Sequence, residues 1–131
     1  MDELLIGLFA IAGGMTRYGV DQLVVFNHVP VATFLINLLG SFLLVYLTNT
    51  LAQIEWFPEQ LTLGLGTGFV GAFTTFSSYI LEIMQLYQAQ AYWLAIGYAL
   101  LSLVGGMLGA YLGLRASRLD LRHLARRAVN K

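Results

Sequence analysis

Between Leu4 and Leu114 the chain gathers its apolar residues into four stretches, roughly Leu4–Val25, Val31–Leu51, Leu61–Leu81 and Tyr92–Leu114. Each has the length, about 20 residues, that an α-helix needs to cross the hydrocarbon of a bilayer. No other feature constrains the fold as strongly. In lipid every backbone N–H and C=O must find a partner, and a helix supplies those partners within one segment. The connections, Phe26–Pro30, Ala52–Gln60 and Glu82–Ala91, are too short to hold a soluble domain. The sequence therefore reads as an all-α integral membrane protein. A four-helix transmembrane unit covers residues 1–114, and a basic tail follows over 115–131.

Composition agrees with that reading. With 58% hydrophobic and 11% charged residues, the chain lacks the polar surface that a soluble domain of 131 residues would need. The absence of cysteine excludes a disulfide framework, a thiol nucleophile and a thiolate metal site. A formal net charge of zero points to neither a nucleic-acid nor an acidic partner. Met1, Asp2 and Glu3 offer no positive n-region, so the first apolar stretch is expected to stay in the mature protein. Four alternating spans put both termini on one side. Six basic residues after Leu114 lie there, against Arg17 alone on the other, which favours cytoplasmic termini through the tail. Arg115, Arg118, Arg122 and Arg126 recur at helical spacing and read as a basic interfacial helix beside anionic headgroups, with lipid rather than nucleic acid as the partner.

The third stretch departs from an ordinary span. Residues 64–79, GLGTGFVGAFTTFSSY, place Gly64, Gly66, Gly68 and Gly71 among the hydroxyls of Thr67, Thr74, Thr75, Ser77 and Ser78. Glycine weakens a helix, and Ser or Thr can draw hydrogen bonds away from its backbone. Irregular backbone at membrane depth survives only where protein or water satisfies it. Gly71–Ser77 is therefore expected to be an interruption inside an assembly, either a polar kink against a neighbour or a seat for an ion. Asn37, midway along the second stretch with Thr33 and Gly40 around it, could bond to that break or line a polar path. On the fourth stretch Tyr98, Ser102 and Gly106 share one face. Gly105, Gly109 and Gly113 form a small-residue ridge for close helix approach, within one subunit or between two.

The groups that are missing narrow the function. No charged residue lies in the centre of any stretch; Glu82, nearest to that description, reads as a solvated acid at a helix end. His28 and His123 lie outside the spans, against a haem-binding subunit. Ser77 has no intramembrane base beside it, against a hydrolase. What remains is a neutral track of hydroxyls, one amide and the rings of Phe73, Phe76 and Tyr79. Ring edges carry the positive part of the aromatic quadrupole and can face an anion without trapping it, and conduction needs sites that weak.

GGMTRYG (13–19), TFLINLLGSF (33–42) and GFVGAFTTFSSY (68–79), in this order and spacing, resemble the Fluc, or CrcB-type, fluoride channel family. The resemblance implies a fluoride-selective channel of the bacterial inner membrane that exports fluoride passively, and an antiparallel, dual-topology dimer whose third helix is broken mid-membrane. It implies pore roles for Asn37, Thr75, Phe76, Ser77, Tyr79, Tyr98 and Ser102, and a vestibule role for Arg17. It also implies a structural sodium ion at the dimer centre, held by backbone carbonyls of Gly71 and Thr74. Tyr79 stands where the family commonly has phenylalanine, and Gly106 where some members have serine. A small multidrug exporter is the leading rival, but it needs a titratable glutamate where this chain has Ile11, Ala12 and Gly13. A non-conducting membrane anchor for a larger complex is the second.

Overall fold

The computed structural model describes residues 2–23, 30–54 and 56–129, with side chains as far as Arg122. Val24, Val25, the connection before Pro30 with its His28, and Lys131 lie outside the described residues, as do the side chains of His123, Arg126 and Arg127. Every regular element among the described residues is helical. Helix α1 runs Asp2–Leu23 and α2 Val31–Leu51. The third apolar segment comes in pieces: α3 (Glu59–Leu63), a π-helical segment Gly64–Val70, α4 (Gly71–Phe73) and α5 (Phe76–Gln88). Helix α6 covers Tyr92–Val129. Two of these helices, α2 and α6 as far as Arg122, are each long and apolar enough to cross a membrane by themselves.

Contacts fix the directions. Along α2, Thr48 meets Gly66, Gly40 meets Thr74 and Thr33 meets Glu82, so α2 and the third segment run antiparallel. Phe34 covers Gly105, Leu38 covers Gly109 and Phe42 covers Gly113, so α2 and α6 run parallel. Phe9 covers Gly64 and Gly68, and Gly13 abuts the Phe69 carbonyl, so α1 runs with the third segment.

Glycines make these approaches possible. Gly64, Gly66 and Gly68 are all buried, and none of the chain's glycines needs a positive φ. Their work is to present bare backbone, as small residues do between helices in lipid. The ridge of Gly105, Gly109 and Gly113 faces α2 of the same chain, which decides its partner. A Cβ on Gly109 would lie 2.5 Å from the Leu38 carbonyl oxygen. Leu100, Leu101, Val104 and Leu108 of α6 are more than half exposed, as expected of a face turned to lipid.

The tail is a continuation of α6, which is 38 residues long without interruption. At 1.5 Å per residue that is about 57 Å, well beyond the hydrocarbon thickness of about 30 Å. Ser117 is fully buried, and the Tyr46 hydroxyl donates to Asp120 at 2.7 Å, so the extension leans on the end of α2. Arg115, Arg118 and Arg122 stay exposed. At the other end Gln90 takes a left-handed φ of 58° and turns the chain from α5 into α6. The Gln90 N–H donates to Tyr87 and the Ala91 N–H to Leu86, each at 2.9 Å, closing the last carbonyls of α5.

Candidate functional site

Helical backbone carries through Phe73, so the irregular stretch is narrower than Gly71–Ser77. Only Thr74 (φ −74°, ψ 156°) and Thr75 (φ −144°, ψ 122°) are extended. Two residues out of register break the i→i−4 ladder and would orphan Thr75. Asn37 prevents this. The Thr75 N–H donates to Asn37 Oδ1, and Asn37 Nδ2 donates to the Thr75 carbonyl, both at 2.9 Å. One side-chain amide thus serves Thr75 as a neighbouring strand would. The Thr75 hydroxyl caps α5 by accepting the Ser78 N–H at 3.2 Å. Buried and engaged in this way, Thr75 holds the restart of the helix, while Ser77 is exposed with its Oγ 3.4 Å from Thr75 Oγ1.

The same break frees carbonyls. Because the Thr75 N–H turns to Asn37 and the Ser78 N–H to the Thr75 hydroxyl, the Gly71 and Thr74 carbonyls lose the donors that a continuous helix would give them. Gly71 C=O receives the Thr74 hydroxyl at 3.4 Å. Among the described residues no group of three His, Asp or Glu side chains gathers anywhere to hold a metal ion. These oxygens are neutral, and Gly71 is exposed at the surface of the chain.

Beside the break an open groove of about 470 Å³ is lined by Asn37 and Ser41 of α2, Phe76 and Tyr79 of α5, and Ser102, Leu103, Gly106, Met107 and Ala110 of α6. It contains no charged side chain. Phe76 and Tyr79 stand with ring centroids 5.8 Å apart, and Tyr79 and Tyr98 5.6 Å apart. The Tyr79 hydroxyl donates to the Ala99 carbonyl at 3.2 Å, so it is tied to α6 and the groove receives its ring. Ser102 Oγ is buried without a hydrogen-bond partner. A smaller groove of about 240 Å³, between Gly40, Thr74 and Phe76, shares Asn37 and Ser41 with the first.

Three expectations are corrected here. Glu82 is not a solvated helix-end acid. Helix α5 continues to Gln88, which puts Glu82 well inside it, and the carboxylate is half-buried. It accepts from the Thr33 hydroxyl of α2 at 2.6 Å and from the Tyr98 hydroxyl of α6 at 2.7 Å. Tyr98 is accordingly buried against Glu82 and does not line the groove, although Ser102 four residues on does. Phe73 also leaves the track: it is 5% exposed and stacks on Phe69, because α4 turns it into the core. Arg17 sits half-buried in α1, apart from the groove-lining residues. Thr33, Ser41 and Glu82 were the residues that sequence reasoning undervalued. The signal was present for two of them, since Thr33, Asn37 and Ser41 follow a four-residue spacing that puts all three on one face of α2.

Fold and site together define a small all-helical membrane protein. Its second, third and fourth apolar segments close on a neutral, polar and aromatic groove. The chain belongs to the CrcB-like protein, Camphor Resistance (CrcB) family, whose model matches residues 4–114. It is similar to the protein named fluoride-specific ion channel FluC 2 of Listeria monocytogenes serovar 1/2a, with 41% identity over 105 residues, 80% of this chain and 81% of that one. FluC 2 of Listeria innocua serovar 6a is 40% identical over 119 residues, 91% of this chain and 92% of the relative. FluC 1 of Bacillus cereus is 37% identical over 113 residues, 84% and 78%.

Proposed function

We propose that this protein is a fluoride-specific ion channel, not an enzyme, which lets fluoride leave the cell down its electrochemical gradient. The observation that carries the reading is the groove itself. It joins the exposed ring of Phe76, the Asn37 amide and Ser102, with no fixed charge to trap an anion. Asn37 spends one amide hydrogen on Thr75 and keeps a second for an ion. The Phe76 and Tyr79 ring edges offer weak positive potential. Thr75 and Ser77 stand beside this path, Ser102 extends it along α6 with Tyr98 packed behind it against Glu82, and Arg17 serves a vestibule. A small anion gains most from such donors, because they must replace a tightly held hydration shell. Fluoride efflux from liposomes, read with a fluoride electrode beside a chloride measurement, tests the proposal. Fast fluoride release with negligible chloride release is expected, and equal rates overturn it.

The reading extends to four spans in the bacterial inner membrane, the third broken at membrane depth, and to an antiparallel, dual-topology homodimer. Phe76 supports the dimer: it is 74% exposed on the single chain, and a partner across a two-fold axis in the membrane plane would cover it. A Cys added at the C-terminus of this cysteine-free chain and labelled with an impermeant maleimide in intact spheroplasts tests the topology. Partial labelling supports mixed insertion. Complete protection, with full labelling after lysis, refutes it. A structural sodium ion belongs to the same proposal. The freed Gly71 and Thr74 carbonyls are neutral oxygens that suit a monovalent cation, and bound there it would supply charge to tie two broken helices together. The fluoride current is then expected to ignore the sodium gradient, and a reversal potential that follows sodium refutes a purely structural ion.

A further inference from the structure

Ser41 is the one residue that both grooves share with Asn37 and Phe76 and that no role yet covers. It follows Asn37 by four residues on α2 and so repeats its face one turn further along. Several hydroxyls on these helices fold back on their own backbone: Thr16 donates to Ala12, Thr48 to Leu44 and Ser117 to Leu114. Ser41 makes no such bond among the described residues, and its hydroxyl is free at the groove wall. Across from it stands Gly106, where a Cβ would lie 3.6 Å from Ser41 Oγ, an ordinary contact distance. On α6 Gly106 follows Ser102 by four residues, so the fourth helix has no side chain where its next polar group would fall. Ser41 therefore delivers a hydroxyl from α2 to the place that α6 leaves bare.

We infer that Ser41 is an anion-binding residue of the pathway, supplying from the second helix the donor that Gly106 withholds from the fourth. The inference rests on the fluoride-channel reading above. Geometry brings the two positions within reach of one ion, since a serine at 106 would carry its hydroxyl on a Cβ only 3.6 Å from the present Ser41 Oγ. The groove is open at this point, so losing one oxygen leaves no buried cavity.

The test is fluoride efflux from liposomes containing the full-length wild type, Ser41→Ala, Gly106→Ser or the double variant. Ser41→Ala is expected to slow efflux about tenfold, the order set by one hydrogen bond to a charged species. The double variant is expected to recover to within about threefold of wild type, on the same scale of about tenfold per hydrogen bond. A helix-packing role for Ser41 would not be repaired by a hydroxyl on the facing helix. Wild-type efflux in Ser41→Ala, or a double variant as slow as Ser41→Ala, overturns the inference. If Ser41→Ala does not elute as a single species, Ser41→Thr and Ser41→Val carry the comparison at nearly equal shape. Conduction by the threonine variant alone supports the role, and equal conduction by both overturns it. Absence of fluoride efflux from the wild type would instead refute the channel reading, so the two failures are distinguishable.

Discussion

Replacing Asn37 with leucine should cost stability as well as flux, because the amide is the hydrogen-bond partner of a backbone that cannot pair with itself. In the native chain Asn37 satisfies both the N–H and the C=O of Thr75 at 2.9 Å, in a part-buried setting. Leucine matches asparagine roughly in size but removes both partners. Each orphaned group costs about 1–3 kcal/mol, so the two together cost about 2–6 kcal/mol unless water reaches them. Against a total stability of about 5–15 kcal/mol this is a large fraction. The loss should appear as a lower thermal midpoint in detergent for Asn37→Leu, together with loss of fluoride efflux. Asn37→Asp separates the contributions. Its carboxylate can still accept the Thr75 N–H, yet it offers no donor to the Thr75 carbonyl, so it too should melt below wild type. A melting curve for Asn37→Leu that superimposes on wild type would refute the pairing argument, whatever the flux did.

Phe76→Ile should abolish fluoride efflux while leaving a folded dimer, since isoleucine removes the ring edge but keeps apolar bulk for the partner to cover; persistent efflux would locate the pathway elsewhere. Gly109→Ala should destabilise by about 1–3 kcal/mol, the usual cost of overpacking, because its Cβ would meet the Leu38 carbonyl at 2.5 Å; unchanged melting would mean that α2 and α6 can part without cost. Gln90→Gly should stabilise. A left-handed residue with a Cβ costs roughly 1–2 kcal/mol. Glycine relieves this while adding roughly 0.5–1 kcal/mol of chain entropy, and a fall in melting temperature would contradict that balance.

Much of this protein could be read from one dimension. Apolar runs of span length set the helical class, and they do so through backbone pairing in lipid, whatever the tertiary contacts turn out to be. The polar composition of residues 64–79 marked the irregular segment, and Asn37 was legible as its partner because a lone amide in an apolar run must bond to something. Tertiary structure decided the rest. The glycines of that segment read as helix breakers; three-dimensional contacts show them accepting the backbone of α1 and side chains of α1 and α2, while two threonines make the break. Glu82 looked like an end-of-helix acid because its two hydroxyl partners, Thr33 and Tyr98, stand 49 residues before it and 16 after it. Composition cannot show that a charge is bonded across such distances. The Gly105–Gly109–Gly113 ridge advertised a close helix approach without naming the other helix. Only the parallel seating of α2 against α6 assigned it, because a glycine face is complementary to any neighbour and carries no specificity of its own.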